Sequence, residues 1–339
     1  MSPELAIAGV MLAALVIYTL SAGADFGGGA WLLFASGPRA DDQRDLVDDA
    51  IGPIWEANHV WLILVVVLLF VCFPLAFAAI STALHVPLTV MLIGVVLRGS
   101  AFAFVHAYTH AEHHDPAPRR WARVFAVASL ITPVTLGVTL GALSTGLELD
   151  PNTGRVRTDF FSEWLAPFPF AVGLFALLLF AYLAAVYLAD EARRDPELSD
   201  MFRRRALISA VLVAAAALLT FLLAPARLQA GLADTSWALG LHLATGLAAL
   251  AAIVLLVRRR LRAARLAAML QVALIVIGWA LAQHPHLVWP HLTIPGAAAP
   301  RSVLVPVLIA LGLGALLLIP ALAYLFVVFK GRVRPASKA

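Results

Sequence analysis

Nine stretches of mostly apolar residues run along this chain, near 5–34, 51–72, 75–106, 121–146, 165–189, 206–225, 237–257, 264–283 and 302–329. About 20 residues of helix cross the ~30 Å hydrocarbon layer of a bilayer. No water is present in that layer to satisfy backbone N–H and C=O groups, so each stretch must close its hydrogen bonds internally, as a helix. The chain therefore reads as an all-α polytopic membrane protein, with about nine transmembrane helices packed as bundles. The first and third stretches exceed the layer's thickness, which predicts tilting, or bending at Gly27-Gly-Gly29 and at Pro87.

Composition agrees. Hydrophobic residues make up 62% and charged residues 13%, with a mean hydropathy of +0.92, values that exclude an ordinary water-soluble domain. The isoelectric point near 9.6 does not indicate nucleic acid, because nearly all the basic residues fall in the connections between stretches and the C-terminal tail. Met1-Ser-Pro-Glu4 has no basic n-region and the apolar run continues past any small-residue cleavage motif, so the first span is expected to be retained. Cys72 is the single cysteine and forms no internal disulfide.

Nine spans put the termini on opposite sides, and the basic residues choose the sides. Nineteen of the 24 fall in connections 1–2, 3–4, 5–6 and 7–8 and in the C-terminal tail, whereas Arg155, Arg157, Arg227 and Arg301 fall on the other side and Arg98 within a span. By the positive-inside rule the N-terminus is outside and the C-terminus cytoplasmic. Trp31, Trp55 and Trp121 at inner boundaries and Trp164, Trp237 and Trp289 at outer ones fit an interfacial aromatic belt. The longest connections, 35–50, 107–120, 147–164 and 284–301, are too short for a separate domain. Residues 1–339 are read as one transmembrane domain with a disordered tail over about 331–339.

Three ionisable residues, Asp25, Glu56 and Arg98, lie inside these apolar stretches. Such groups are costly at membrane depth and mark proton, ion or substrate paths. At 1.5 Å per helical residue they sit roughly 14, 8 and 12 Å from the inner ends of their spans, in one layer, and consecutive helices tend to be neighbours. This predicts a cluster in which Arg98 balances one acid and leaves the other to carry a proton, with Asn58, His59 and Ser100 extending the row. The plainer reading is an ion pair that locks the first three spans together, with interhelical hydrogen bonds from Asn58, His59 and Ser100.

Other motifs carry less. Gly23-Ala-Asp-Phe-Gly-Gly-Gly29 has no preceding strand and no Lys-Ser/Thr, so it is not a phosphate loop; it suits close helix packing, or a local unwinding that wets Asp25. His85 and His106 are 21 residues apart on one span, and His59, His242 and His284 have no partner at clear ligand spacing, so no haem or metal is assigned to this chain. His106, His110, His113 and His114 resemble a metal set in a stretch that Glu112 and Asp115 mark as a solvated connection. His284, His286 and His291, with Trp289, suit interfacial anchoring or the edge of a quinone headgroup.

Gly23-Ala-Asp-Phe-Gly-Gly-Gly29, Gly52-Pro-Ile-Trp-Glu-Ala-Asn-His-Val-Trp-Leu-Ile63, Phe73-Pro-Leu-Ala-Phe77, Leu97-Arg-Gly-Ser-Ala-Phe102, Ala282-Gln-His-Pro285 and Leu292-Thr-Ile294 together resemble subunit II of the cytochrome bd-type quinol oxidases. The Glu-Ala-Asn-His form is most similar to the cyanide-insensitive branch. The resemblance implies a bacterial inner-membrane complex that oxidises ubiquinol or menaquinol on the outer side and reduces dioxygen to water with cytoplasmic protons. It also implies that two haems b and one haem d belong to subunit I, whose fold this chain mirrors. This chain would be the haem-free partner, with membrane lipid, quinone and small single-span accessory subunits as further neighbours. Asp25, Glu56 and Arg98 fall on positions associated with a proton route toward the haems; the acid of the tryptophan motif is Asp in some relatives and Glu here. The competing class is a proton-coupled secondary transporter, which an inverted repeat would favour; none stands out. A scaffold without chemistry leaves Glu56 and Arg98 unexplained.

Overall fold

The computed structural model describes residues 2–51, 55–107, 117–150, 156–157 and 160–331. Among them are twelve α-helices: α1 Pro3–Leu32, α2 Ala40–Ile51, α3 Trp55–Cys72, α4 Pro74–Ala83, α5 His85–Ala107, α6 Ala117–Thr145, α7 Pro167–Glu191, α8 Pro196–Leu223, α9 Ala226–Ala233, α10 Ala238–Val257, α11 Leu261–Gln283 and α12 Arg301–Gly331. A short antiparallel hairpin, β1 His286–Val288 with β2 Leu292–Thr293, precedes α12. Eight helices among the described residues are long and apolar enough to cross a membrane, and the pair Asn58–Cys72 and Pro74–Ala83, bent by 117°, has the length and apolarity of a ninth, broken span or of a re-entrant loop.

The bends differ from those expected. α3 stops because Pro74 cannot continue it and forces the preceding residue out of the helical region; Phe73 sits at φ −136°, ψ 59°. The stretch expected as one span over 75–106 is two elements, α4 and α5, and the break falls at Leu84, not at Pro87. Pro87 lies in the first turn of α5, where its missing N–H breaks no helical bond. α1 runs as continuous helix through Gly27-Gly-Gly29, so no unwinding occurs there.

α6 and α7 are the central helices: 61% and 56% of their apolar windows are buried, against 6% for α12. α1 packs on α7, α6 and α3. In lipid, helices associate through close packing, because leaving the hydrocarbon gains nothing. A side chain at Gly27 would enter the Phe180 carbonyl of α7, and one at Gly173 would meet the Val134 carbonyl of α6 at 2.7 Å. The glycine cluster thus serves close packing.

Each end of the bundle is closed by an ordered element where the sequence predicts a plain connection. At the arginine-rich end, α2 lies within the region taken as the 35–50 connection. It buries Val47 and Gln43 and packs Leu46 and Val47 against residues of α5 to α8. Arg39 pairs with Asp42 and Asp195, and Asp195 caps α8 by accepting from the Leu198 N–H at 3.1 Å. These bonds hold the Asp195 carboxyl well below the usual carboxylate range, the Arg39 guanidinium contributing most. At the opposite end, 284–300 folds as a cap: the Leu147 N–H donates to the Trp289 carbonyl and the Ala299 N–H to that of Cys72, both at 2.8 Å. Val288, Ile294 and Ala297 are buried in the same core as Cys72, Phe73 and Leu147. Arg227 lies 4.1 Å over the Trp289 ring and donates to Gln283 Oε1 at 2.9 Å. Burial, then the Arg227 and His284 charges, pushes His286 below the ordinary imidazole value.

Candidate functional site

Small residues bring three helices close enough for one long side chain to span them. A side chain at Gly94 of α5 would run into Thr132 of α6, and one at Gly29 of α1 would run into Ser129 of α6. Into the space between them α5 sends Arg98, the largest fully buried side chain among the described residues, 1% exposed, and α1 presents Asp25, 5% exposed.

The pair is closed on every side. Arg98 Nη1 donates to Asp25 Oδ2 at 3.0 Å and Nη2 to Asp25 Oδ1 at 2.5 Å. Nη2 also donates to the Asp25 backbone carbonyl at 3.3 Å, and Nε to Ser129 Oγ at 3.0 Å. Ser129 in turn donates to the Phe125 carbonyl at 2.7 Å. The guanidinium plane lies between two aromatic faces, 4.7 Å from the Phe26 ring centre and 4.5 Å from that of Phe125. Two parallel charge-assisted bonds are the strongest form of this interaction. Removing both charges from water costs several kcal/mol per ion, and only geometry this complete offsets that. Asp25 and Arg98 therefore form an electrically neutral fixture joining α1, α5 and α6.

The sequence reading brought the right residues together in part. Asp25 and Arg98 meet as expected. Glu56 lies in the first turn of α3, three residues before His59, and its side chain is outside the described residues. Asn58 is buried. His59 is half-buried, with its ring 5.9 Å from that of Phe26 and 6.1 Å from that of Tyr18, so it stands beside the pair. Tyr18 is fully buried, its hydroxyl without a hydrogen-bond partner among the described residues. Ser100 is half-buried, two residues past Arg98 and so about 200° round the axis of α5. Ser129, Phe125 and Phe26 were not singled out in the sequence. Their only signals were a serine at i+4 from a phenylalanine in an apolar span and an aromatic next to the acid.

Elsewhere, His85 Nδ1 lies 2.9 Å from the Thr82 carbonyl, with the ring 5.2 Å from that of Phe160. His242 Nδ1 lies 2.7 Å from the Ala238 carbonyl. His110, His113, His114 and the side chain of His106 are outside the described residues, as is the tail beyond Gly331.

Fold and site together define a polytopic α-helical membrane protein with a buried ion pair held between α1, α5 and α6. Within that class the chain belongs to the cytochrome bd terminal oxidase subunit II family, whose model matches residues 3–329. It is 31% identical over 128 residues to the cytochrome bd ubiquinol oxidase subunit 2 of Bacillus subtilis (strain 168), a stretch covering 38% of this chain and 36% of that protein. It is 26% identical over 176 residues to the cytochrome bd-I ubiquinol oxidase subunit 2 of Escherichia coli (strain K12), covering 51% of this chain and 45% of the relative. The aligned stretches thus span about a third to a half of these relatives' own length. The fold matches a chain in the structure of the bd oxidase from Geobacillus thermodenitrificans with a TM-score of 0.73 at 22% identity, covering 98% of this chain and 100% of that one. Family membership replaces the transporter alternative.

Proposed function

We propose that this chain is the haem-free subunit II of a bd-type quinol:oxygen oxidoreductase in a bacterial inner membrane. It stabilises a haem-bearing subunit I and helps deliver cytoplasmic protons to the point where dioxygen is reduced to water. Quinol supplies the electrons, and the haems b and d of the partner supply the redox chemistry.

The observation that carries this reading is the closed Asp25–Arg98 pair beside the start of α3. Both carboxylate oxygens of Asp25 are taken by Arg98, so Asp25 acts as a fixed charge rather than a mobile carrier. That leaves Glu56 as the intramembrane acid able to take up and release a proton, with His59 one turn further along α3 and Asn58 beside it. The neutral fixture sets the potential on this row without competing for its protons. The arginine-rich connections put the start of α3 on the cytoplasmic side, where the protons are taken up. The surroundings of His85 and His242, each with one ring nitrogen against a carbonyl of nearby backbone, suit structural roles and support placing the haems in the partner. The Glu-Ala-Asn-His motif favours the cyanide-insensitive branch.

Two measurements test the proposal. A complex captured through a tag on this chain should consume oxygen with ubiquinol or menaquinol as donor, and the chain expressed alone should not; capture of the intact chain with a membrane partner but no oxygen uptake counts against it. Reporters fused after Lys338 and within 190–205 should read as cytoplasmic, and those within 147–160 as external. The opposite pattern would put Glu56 on the wrong side for proton uptake.

A further inference from the structure

The turn between α10 and α11 carries Arg258-Arg-Arg260 followed by Arg262, and it packs beside the end of α7. Arg193 from the end of α7 and Arg259, Arg260 and Arg262 from this turn line a concavity of about 360 Å³, with Asp190 as the acid in its wall. That acid is already matched: Arg193 lies 3.5 Å and Arg265 3.6 Å from its two oxygens. Arg259 reaches out to Asp200 at 3.0 Å. Arg260 and Arg262 have no carboxylate partner among the described residues, and both are exposed. Arg259 sits at φ 56°, the left-handed position that closes the end of α10, with the Arg260 N–H donating to the Leu255 carbonyl at 2.9 Å.

Charges that only orient a protein in its membrane need number, not arrangement. Here they converge from two connections far apart in sequence onto one hollow, at the start of α11, where the helix dipole adds to the positive potential. An anion in the hollow relieves this crowding. The guanidinium fork matches phosphate oxygens in pairs, and the apolar body of α11 begins directly beside the hollow. Basic pockets between membrane helices on this face bind anionic headgroups.

We propose that this concavity binds the phosphate ester of an anionic phospholipid, with Arg260 and Arg262 as its principal ligands. The site is separate from the Asp25–Arg98 region. The test uses the full chain with whatever membrane partner co-purifies, in detergent and stripped of lipid, with its thermal unfolding followed in three additions. Mixed micelles containing phosphatidylglycerol should raise Tm, and micelles of zwitterionic phosphatidylcholine should not. Inorganic phosphate reproducing the full rise would keep the phosphate site and assign it to the free ion. Arg260→Gln with Arg262→Gln should lose at least half of the rise, and Arg260→Lys with Arg262→Lys, which keeps the charge for membrane insertion but not the fork, should lose a smaller part. Lys330→Gln with Lys338→Gln, the same charge change in the tail, should retain it. A full rise in the Arg260/Arg262 glutamine variant, or an equal loss in the tail variant, would overturn the proposal.

Discussion

Arg98→Ala should remove most of the detergent-stable protein from the membrane. Arg98 is 1% exposed and supplies both bonds that neutralise Asp25; alanine leaves that carboxylate buried and unpaired. Breaking a buried pair in this way costs roughly 3–5 kcal/mol, a large share of a stability margin of about 5–15 kcal/mol. Arg98→Lys should fall between wild type and alanine. It keeps a positive charge but loses the paired bonds, the Ser129 bond and the sandwich between Phe26 and Phe125. Combining Arg98→Ala with Asp25→Asn should recover part of the loss, because the stranded charge is gone. Combining it with Glu56→Gln should not. The yield of assembled complex on size-exclusion chromatography reads all four variants, and rescue by Glu56→Gln in place of Asp25→Asn would show that the pairing has been assigned to the wrong acid.

Glu56→Gln should leave assembly intact and reduce quinol-driven oxygen uptake on the order of tenfold or more, the scale on which removal of a positioned proton carrier acts. The substitution keeps the shape of the side chain and removes its ability to exchange a proton. The loss should also appear as slowed re-protonation of reduced oxygen intermediates in single-turnover experiments. Glu56→Asp keeps the carboxyl on a shorter stem and should retain more activity. An assembled Glu56→Gln complex with full turnover makes Glu56 structural and sends the proton route elsewhere.

Most of the apolar spans and the Asp25–Arg98 pair were legible in the sequence for a simple reason. Apolar length and misplaced charge are both local signals, and in hydrocarbon neither has an alternative solution. What was missed depends on three-dimensional neighbours. Ser129 could not be told from Thr132, Thr135, Thr139 and Ser144 on the same helix, since all of them donate to the carbonyl four residues back. Only the approach of α5 shows that Ser129 also accepts from Arg98. α2 was hidden because its acids, Asp41, Asp42, Asp45, Asp48 and Asp49, resemble a solvated connection, and the buried face carried by Gln43 and Val47 is too short to show a period. The cap over 284–300 is held by backbone bonds to Leu147 and Cys72, partners that no spacing in the sequence reveals.

The central claim is that this chain feeds protons to redox centres it does not carry. A structure of the purified complex with its haems bound tests this most directly, by showing which residues coordinate each iron. The account predicts that every haem iron is ligated by the partner subunit, with Glu56 on the side of this chain that faces the cytoplasm. An iron coordinated by His59, His85, His106 or His242 would contradict it.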